Sequence, residues 1–221
     1  MVATATAADP APGAAPPNRR AAFQERKRQN TRAAILAAAG RIFACTPYVH
    51  ATIDEIIAAA GISRATFYTH FESKLGLALA IYEELVPEVH ALFDQIPRLD
   101  TRTPAAAKAW LRTFADLYVR HGYLRWLFAQ LEIFERSFRI RLRTDRDGYM
   151  QRLADAGIKR FARAAGKGEQ AALQRARARL LLDRLVAVCA EISQPDLVSA
   201  ADGEAYLEVV AEELRAFLAD A

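Results

Sequence analysis

Seven consecutive residues, Arg64-Ala65-Thr66-Phe67-Tyr68-Thr69-His70, bring together a guanidinium, two hydroxyls, a phenol and an imidazole without one carboxylate. Groups of this kind hydrogen-bond to base edges and phosphate oxygens, and an acid among them would be repelled by a nucleic-acid backbone. On a helix advancing about 100° per residue, Phe67 and Phe71 define one side and Thr69 points away from it. Ala65 and Thr66 lie close to Thr69, Tyr68 and His70 flank this outer face, and Arg64 leads from the first turn. A free surface helix would usually carry Glu and Lys there. No other chemistry assembles. The four histidines and two cysteines are scattered, with no metal-ligand spacing, no phosphate-binding glycine loop and no supported nucleophile–base set. Neither a metal, a cofactor nor a catalytic residue is expected, and the chain reads as no enzyme.

The elements that must hold the segment carry local signals. Thr52-Ile53-Asp54-Glu55 is a capping box that opens a helix whose buried face is Ile53, Ile56, Ile57 and Ala60. Gly61 supplies the left-handed residue that ends it. Ile62 plugs the core, and Ser63 caps the next helix. Upstream, Ile35, Leu36, Ala39, Ile42 and Phe43 make one apolar stripe, predicting a helix from about Thr31 to Ala44. Downstream, a helix starts at Ser73-Lys74 and carries Leu75, Leu79, Tyr82, Val86 and Phe93. Two short helices joined through Ala60-Gly61-Ile62-Ser63 form a helix-turn-helix, whose second member can enter the major groove.

The stretch Thr31 to Leu79 resembles the DNA-binding domain of TetR-family regulators. The resemblance is carried by Ala33-Ile35-Leu36, Phe43, Thr52-Ile53, Ile56-Ala58, Ala60 to Ser63, Thr66, Tyr68, His70-Phe71 and Ser73-Lys74. One departure is the loop Cys45 to Ala51, about one residue longer than usual and without the usual glycine. The resemblance implies that Arg64 and Ala65 sit nearest base edges, with Thr69 the other outward side chain in the groove. It implies that Thr52, Thr66, Tyr68, His70 and Lys74 hold phosphates. The basic arm Arg19 to Arg28 would add non-specific attraction or reach a minor groove; solubilising charge is the other reading of it.

Bulk properties agree with a polyanion partner. The 221 residues are 52% hydrophobic and carry a net charge of +4. Residues 18–80 hold nine basic against four acidic side chains, while residues 81–221 balance. The excess therefore lies where the reading segment lies. No run approaches the roughly 18 to 20 apolar residues of a membrane span. Met1 to Pro17, rich in Ala, Pro and Thr, lacks the pattern of a secretory signal and is expected to be a disordered tail. Cys45 and Cys189 read as two free thiols in a reducing cytoplasm, with a redox pair as the alternative.

Strand signals are nearly absent, so the chain is expected to be all-α with about nine helices. The expected organisation is a tail over 1–22, a helix-turn-helix domain over 23–75, and an effector-binding and dimerisation domain over 76–221. In the last part, a helix from Gly122 to about Phe138 is apolar over most of its circumference and is expected to run through the middle of the body. The preceding helix carries Trp110, Leu111, Phe114, Leu117 and Tyr118. A small-molecule pocket has aromatic walls and a few polar anchors, which makes Trp110, Phe114, Tyr118, His121, Phe128, Gln130 and Glu135 the candidate lining. Ordinary core packing is the competing reading of every one. The basic residues Arg136, Arg139, Arg141, Arg143 and Arg146 suit either an anionic ligand or, better, a solvated face balanced by acids.

The last two helices are too apolar for lone exposed elements. Leu181, Leu185, Val188, Ile192, Tyr206, Val210, Leu214 and Phe217 are the candidate interface, and the family resemblance implies a four-helix bundle with a twofold mate. The expectation is a cytoplasmic homodimer on a palindromic DNA operator, answering to an apolar or amphipathic small molecule, and more a repressor than an activator. Two other classes stay open: a constitutive DNA-binding dimer without effector, and a small-molecule-binding protein or enzyme with a vestigial head.

Overall fold

A computed structural model describes residues 19–219 of the chain. Within them lie ten α-helices, one short 3-10 turn at Ile96–Arg98, and no strand. The helices are α1 (Arg19–Cys45), α2 (Ile53–Ala60), α3 (Arg64–His70), α4 (Lys74–Phe93) and α5 (Ala105–Arg120). They continue as α6 (Tyr123–Phe134), α7 (Arg136–Asp155), α8 (Lys159–Ala165), α9 (Glu169–Ile192) and α10 (Ala200–Ala219). The all-α expectation holds, with one helix more than the expected nine.

Two boundaries differ from the sequence reading. First, α1 begins at Arg19, twelve residues before the expected start at Thr31. Residues 19–30 are exposed throughout, so no apolar stripe marks them. Their composition of Ala, Arg, Gln, Glu and Lys favours helix by propensity alone, and Gln29 donates to Glu25 one turn back. The expected tail over 1–22 falls outside the described residues up to position 18, and its last four residues are helical. Second, the single helix expected from Gly122 to Phe138 is two helices. The backbone turns extended at Glu135, with φ −117° and ψ 100°, which ends α6 and starts α7. Nor does α6 run through the middle. Leu124, Leu127 and Leu131 face the core, whereas Trp126 is 59% and Ile133 67% exposed.

The head follows its local signals. Thr52 Oγ1 accepts from the Glu55 amide at 3.2 Å, and the Glu55 carboxylate accepts from the Thr52 amide at 2.8 Å. Such a box is worth about 1 kcal/mol, and the hydrogen bonds from Thr52 hold Glu55 below the usual carboxylate range. Gly61 has φ 64°, the left-handed conformation that a side chain resists by roughly 1–2 kcal/mol. Ser63 then accepts from the Thr66 amide at 3.1 Å and starts α3. Ile35, Ile56 and Phe67 are fully buried together beneath these turns.

The larger part packs α5, α8, α9 and α10 around Trp110, Leu111, Phe161, Leu182, Leu185 and Leu214. Trp110 is buried with its indole N–H donated to the Leu92 carbonyl at 2.8 Å. No described helix is long and apolar enough to cross a membrane.

Candidate nucleic-acid interface and the cavity behind it

Helix α3 stands on Phe67 and Phe71, which are buried, and turns its other side outward. Arg64, Ala65 and Thr69 are exposed, Tyr68 is 47% exposed, and Thr66 and His70 are half-buried. The structure therefore brings six of the eight expected contact residues onto one short helix. Thr52 joins them as an exposed cap on α2. Two details were not visible in the linear pattern. The outer face is acid-free on α3 alone: Asp54, from the first turn of α2, lies 3.2 Å from the Arg64 guanidinium. Both side chains are more than half exposed, so this pair is worth little and yields readily to a stronger partner. The Thr69 hydroxyl donates back to the Ala65 carbonyl at 2.9 Å, one turn earlier on its own helix.

Lys74 behaves differently from its expected role. Its ammonium donates to the Tyr48 carbonyl at 2.6 Å and to the Ala51 carbonyl at 2.8 Å. It also lies 4.5 Å from the centre of the Tyr48 ring, within cation–π range. Burial pulls its pKa down, opposed by the charges of Glu135 and Glu55. Lys74 is thus a strut for the Cys45 to Ala51 loop, the segment whose length departs from the family pattern. His70 is held below its ordinary pKa, first by burial and then by Arg28 and Arg32. The shift favours the neutral imidazole.

The loop reaches beyond the head. Tyr48 is buried, and its hydroxyl donates to Glu135 at 2.8 Å. Burial and the neighbouring carboxylate push the Tyr48 pKa above the ordinary phenol value, so it remains a donor. At the other end of α6, the Tyr123 hydroxyl lies 3.2 Å from where a Cβ on Gly40 would stand. A side chain at position 40 would press on the end of the Tyr123 ring, which would have to give by a few tenths of an ångström. Helix α6 is therefore seated on the head at both ends.

Its third face borders a cavity of about 230 Å³. Phe128 and Ala129 of α6 line it with Tyr82, Phe93, Phe114, Tyr118, Tyr149 and Val186, and three charged side chains, Arg125, Glu132 and Arg146, are also in the wall. Of the seven expected lining residues, three are there: Phe114, Tyr118 and Phe128. Trp110 is core. His121 lies beside Glu88 at 3.9 Å, and Gln130 donates to the Trp126 carbonyl at 3.2 Å. Glu135 serves the loop. Periodicity found the aromatic walls of α5 and α6 but not the contributions of α4, α7 and α9, which meet them only in the folded chain.

Residues 35–81 match the family described as bacterial regulatory proteins, tetR family. The head of this chain is a TetR-family helix-turn-helix domain. The chain is 33% identical over 94 residues to the HTH-type transcriptional activator FasR of Mycolicibacterium smegmatis, covering 42% of each chain. It is 37% identical over 62 residues to the HTH-type transcriptional regulator EthR of the same organism, covering 28% of this chain and 29% of that one. The match thus spans less than half the length of either relative. Two solved structures share the fold at low identity. The fatty acid degradation regulator FadR from Bacillus halodurans has a TM-score of 0.58 at 19% identity, over 84% of this chain and 94% of that one. NalD, the secondary repressor of the MexAB-OprM multidrug efflux pump in Pseudomonas aeruginosa, has a TM-score of 0.56 at 18% identity, over 88% of this chain and all of that one.

Behind the TetR-type head, the expected interface residues are mostly interior. Leu181, Leu185, Val210, Leu214 and Phe217 are buried within the chain, and Val188 and Ile192 are half-buried. Tyr206 alone of the set is exposed. The amphipathic pattern was real, but it marked how α9 and α10 pack on each other and on α5 and α8. The opposite faces carry Leu180, 67% exposed, Val209, 58% exposed, and Leu173. Leu180 and Val209 each precede a buried position by one residue, a shift of about 100° that a wheel cannot choose without knowing which side the core occupies. The basic residues of α7 are dispersed: Arg141 pairs with Asp145 and Glu83, and Arg146 lies 3.2 Å from Asp183.

Proposed function

We propose that this chain is a ligand-responsive DNA-binding transcriptional regulator, a repressor that binds a palindromic operator as a homodimer in the cytoplasm. Residues 23–75 are its DNA-binding unit and residues 76–221 its effector-binding and dimerisation unit. One observation carries the reading: the outer side of α3 offers Arg64, Ala65, Tyr68 and Thr69 to solvent while Phe67 and Phe71 anchor it from behind. Arg64 pairs with guanine O6 and N7, and the Ala65 methyl packs on thymine. Thr52, Thr66, Tyr68 and His70 bind phosphates, as does the helix N-terminus of α2. The twofold mate docks on the exposed apolar side of α9 and α10, Leu173, Leu180, Tyr206 and Val209. A C2 pair then sets two α3 helices about 34 Å apart, one turn of DNA.

The cavity is the effector site, and α6 is the transmitter. A ligand that favours another position of α6 strains the Tyr48–Glu135 bond and the Gly40–Tyr123 contact together, and so changes the spacing of the reading helices. The test is fluorescence anisotropy on a palindrome selected from a random duplex pool. Binding is expected to weaken steeply with salt. Arg64→Ala is expected to relax sequence discrimination by about 1–3 kcal/mol, and Tyr68→Phe to weaken binding on all sequences alike. Failure to bind any duplex at low ionic strength overturns the reading.

A further inference from the structure

The cavity wall is largely apolar, and its polar groups are three phenols, two guanidinium groups and one carboxylate. Tyr82 is committed, since its hydroxyl is given to Asp145 at 2.9 Å. Tyr118 is not. Its ring lines the cavity, its hydroxyl makes no hydrogen bond among the described residues, and burial pushes its pKa well above the ordinary phenol range. This half-buried neutral donor is open to a ligand in the cavity. Arg146 lies 3.2 Å from Asp183, yet the Asp183 oxygen it faces is buried without a hydrogen bond. The contact is made by charge alone and leaves the guanidinium donors uncommitted. Arg125 is stacked on the Trp126 ring at 4.2 Å, with no carboxylate on it among the described residues. Two acids stand near these cations: Glu132 in the wall, which is exposed, and Asp183 behind Arg146, so Arg125 is the one of the two without a carboxylate on it among the described residues.

We infer that the cavity takes a monoanionic amphiphile, a carboxylate on an apolar body, with the head held by Tyr118, Arg146 and Arg125. The inference rests on the effector reading above and names the ligand class for that site. The volume sets the size. An apolar cavity of about 150 Å³ takes benzene, so 230 Å³ suits a body of roughly ten non-hydrogen atoms. A cationic head meets the Arg125 guanidinium and finds in the wall only the exposed Glu132 carboxylate. A neutral head satisfies the phenol but leaves the Arg125 guanidinium without a carboxylate partner, which makes it the weaker ligand.

The experiment is titration calorimetry of the full-length protein, without DNA, against octanoate, 4-propylbenzoate, octanol and octylamine. The two carboxylates distinguish an aliphatic from an aromatic body. At least one carboxylate is expected to bind tenfold or more tightly than octanol, with octylamine weakest. Tyr118→Phe and Arg125→Gln are each expected to reduce that advantage at least threefold while leaving octanol binding unchanged. Arg146→Gln serves as a third variant, because it also loses its contact with Asp183. Octanol binding as tightly as both carboxylates, or octylamine binding more tightly, overturns the ligand class. So does a carboxylate preference that survives in all three variants. A carboxylate that binds with the expected residue dependence but leaves operator affinity unchanged supports the ligand class and removes the effector reading. Absence of binding by all four probes overturns both.

Discussion

The head and the cavity are built from bonds of very different reach. In the head, Thr52 caps through Glu55, Ser63 through Thr66, and Gly61 turns the chain between them, all within fifteen residues. The cavity depends on α4, α5, α6, α7 and α9 arriving at one place, and the bond that ties it to the head, Tyr48 to Glu135, spans 87 residues. Local bonds specify a surface that must be the same in every copy of a reading helix. Distant ones make a space whose content changes when any one wall changes. The proposed regulation needs both kinds, and α6 touches both regions.

The contrast can be broken most severely from the inside of the head. Phe67 is fully buried, and Phe67→Ala is expected to cost about 3–5 kcal/mol in urea unfolding. The effect on DNA binding should be lost reading, whereas a carboxylate added to the folded variant should still bind. Next is Lys74→Met, which keeps the stem but removes the donor to two carbonyls. It is expected to destabilise by about 1–3 kcal/mol, seen as a lower melting temperature. If Lys74→Met instead lowers DNA affinity at unchanged stability, its role is phosphate contact and the strut is secondary.

Tyr48→Phe sharpens the comparison, because it cuts the link and leaves both regions packed. A loss of about 1 kcal/mol in stability is expected. The larger result should be functional: ligand binding and DNA binding each persist, while the effect of one on the other shrinks. Smallest is a pH effect at His70. Its folded pKa lies below the unfolded 6.5, so the unfolded chain binds the proton more readily and stability falls as pH drops below about 6.5. The decline in melting temperature between pH 7 and 5.5 should be shallower in His70→Gln.

Legibility followed the same divide. The capping box, the Gly61 turn and the outward set on α3 were readable because each depends on neighbours within a few positions. Asp54 beside Arg64 was not, since it comes from another helix and its own role as a first-turn acid on α2 already accounts for it. Lys74 matched a family pattern by position, yet its ammonium turned inward to a loop of unusual length. In α9 and α10 the apolar periodicity was correct while its orientation was reversed: Leu181 and Val210 are interior, and Leu180 and Val209 face outward. Period tells that a face exists, and only packing tells what it faces. Glu135 looked like a pocket edge in a continuous helix. The break at Glu135 coincides with its bond to Tyr48, and no local rule contains that bond.

The two cysteines offer a practical opening. Cys189 is buried, donates to the Leu111 carbonyl, and has its pKa pushed up to about 12, so it presents almost no thiolate to a reagent. Cys45 is exposed at the end of α1, three residues before Tyr48. A maleimide dye should therefore attach at one position of the unmutated protein, beside the loop that joins reader to cavity, and turn movement there into a change of emission.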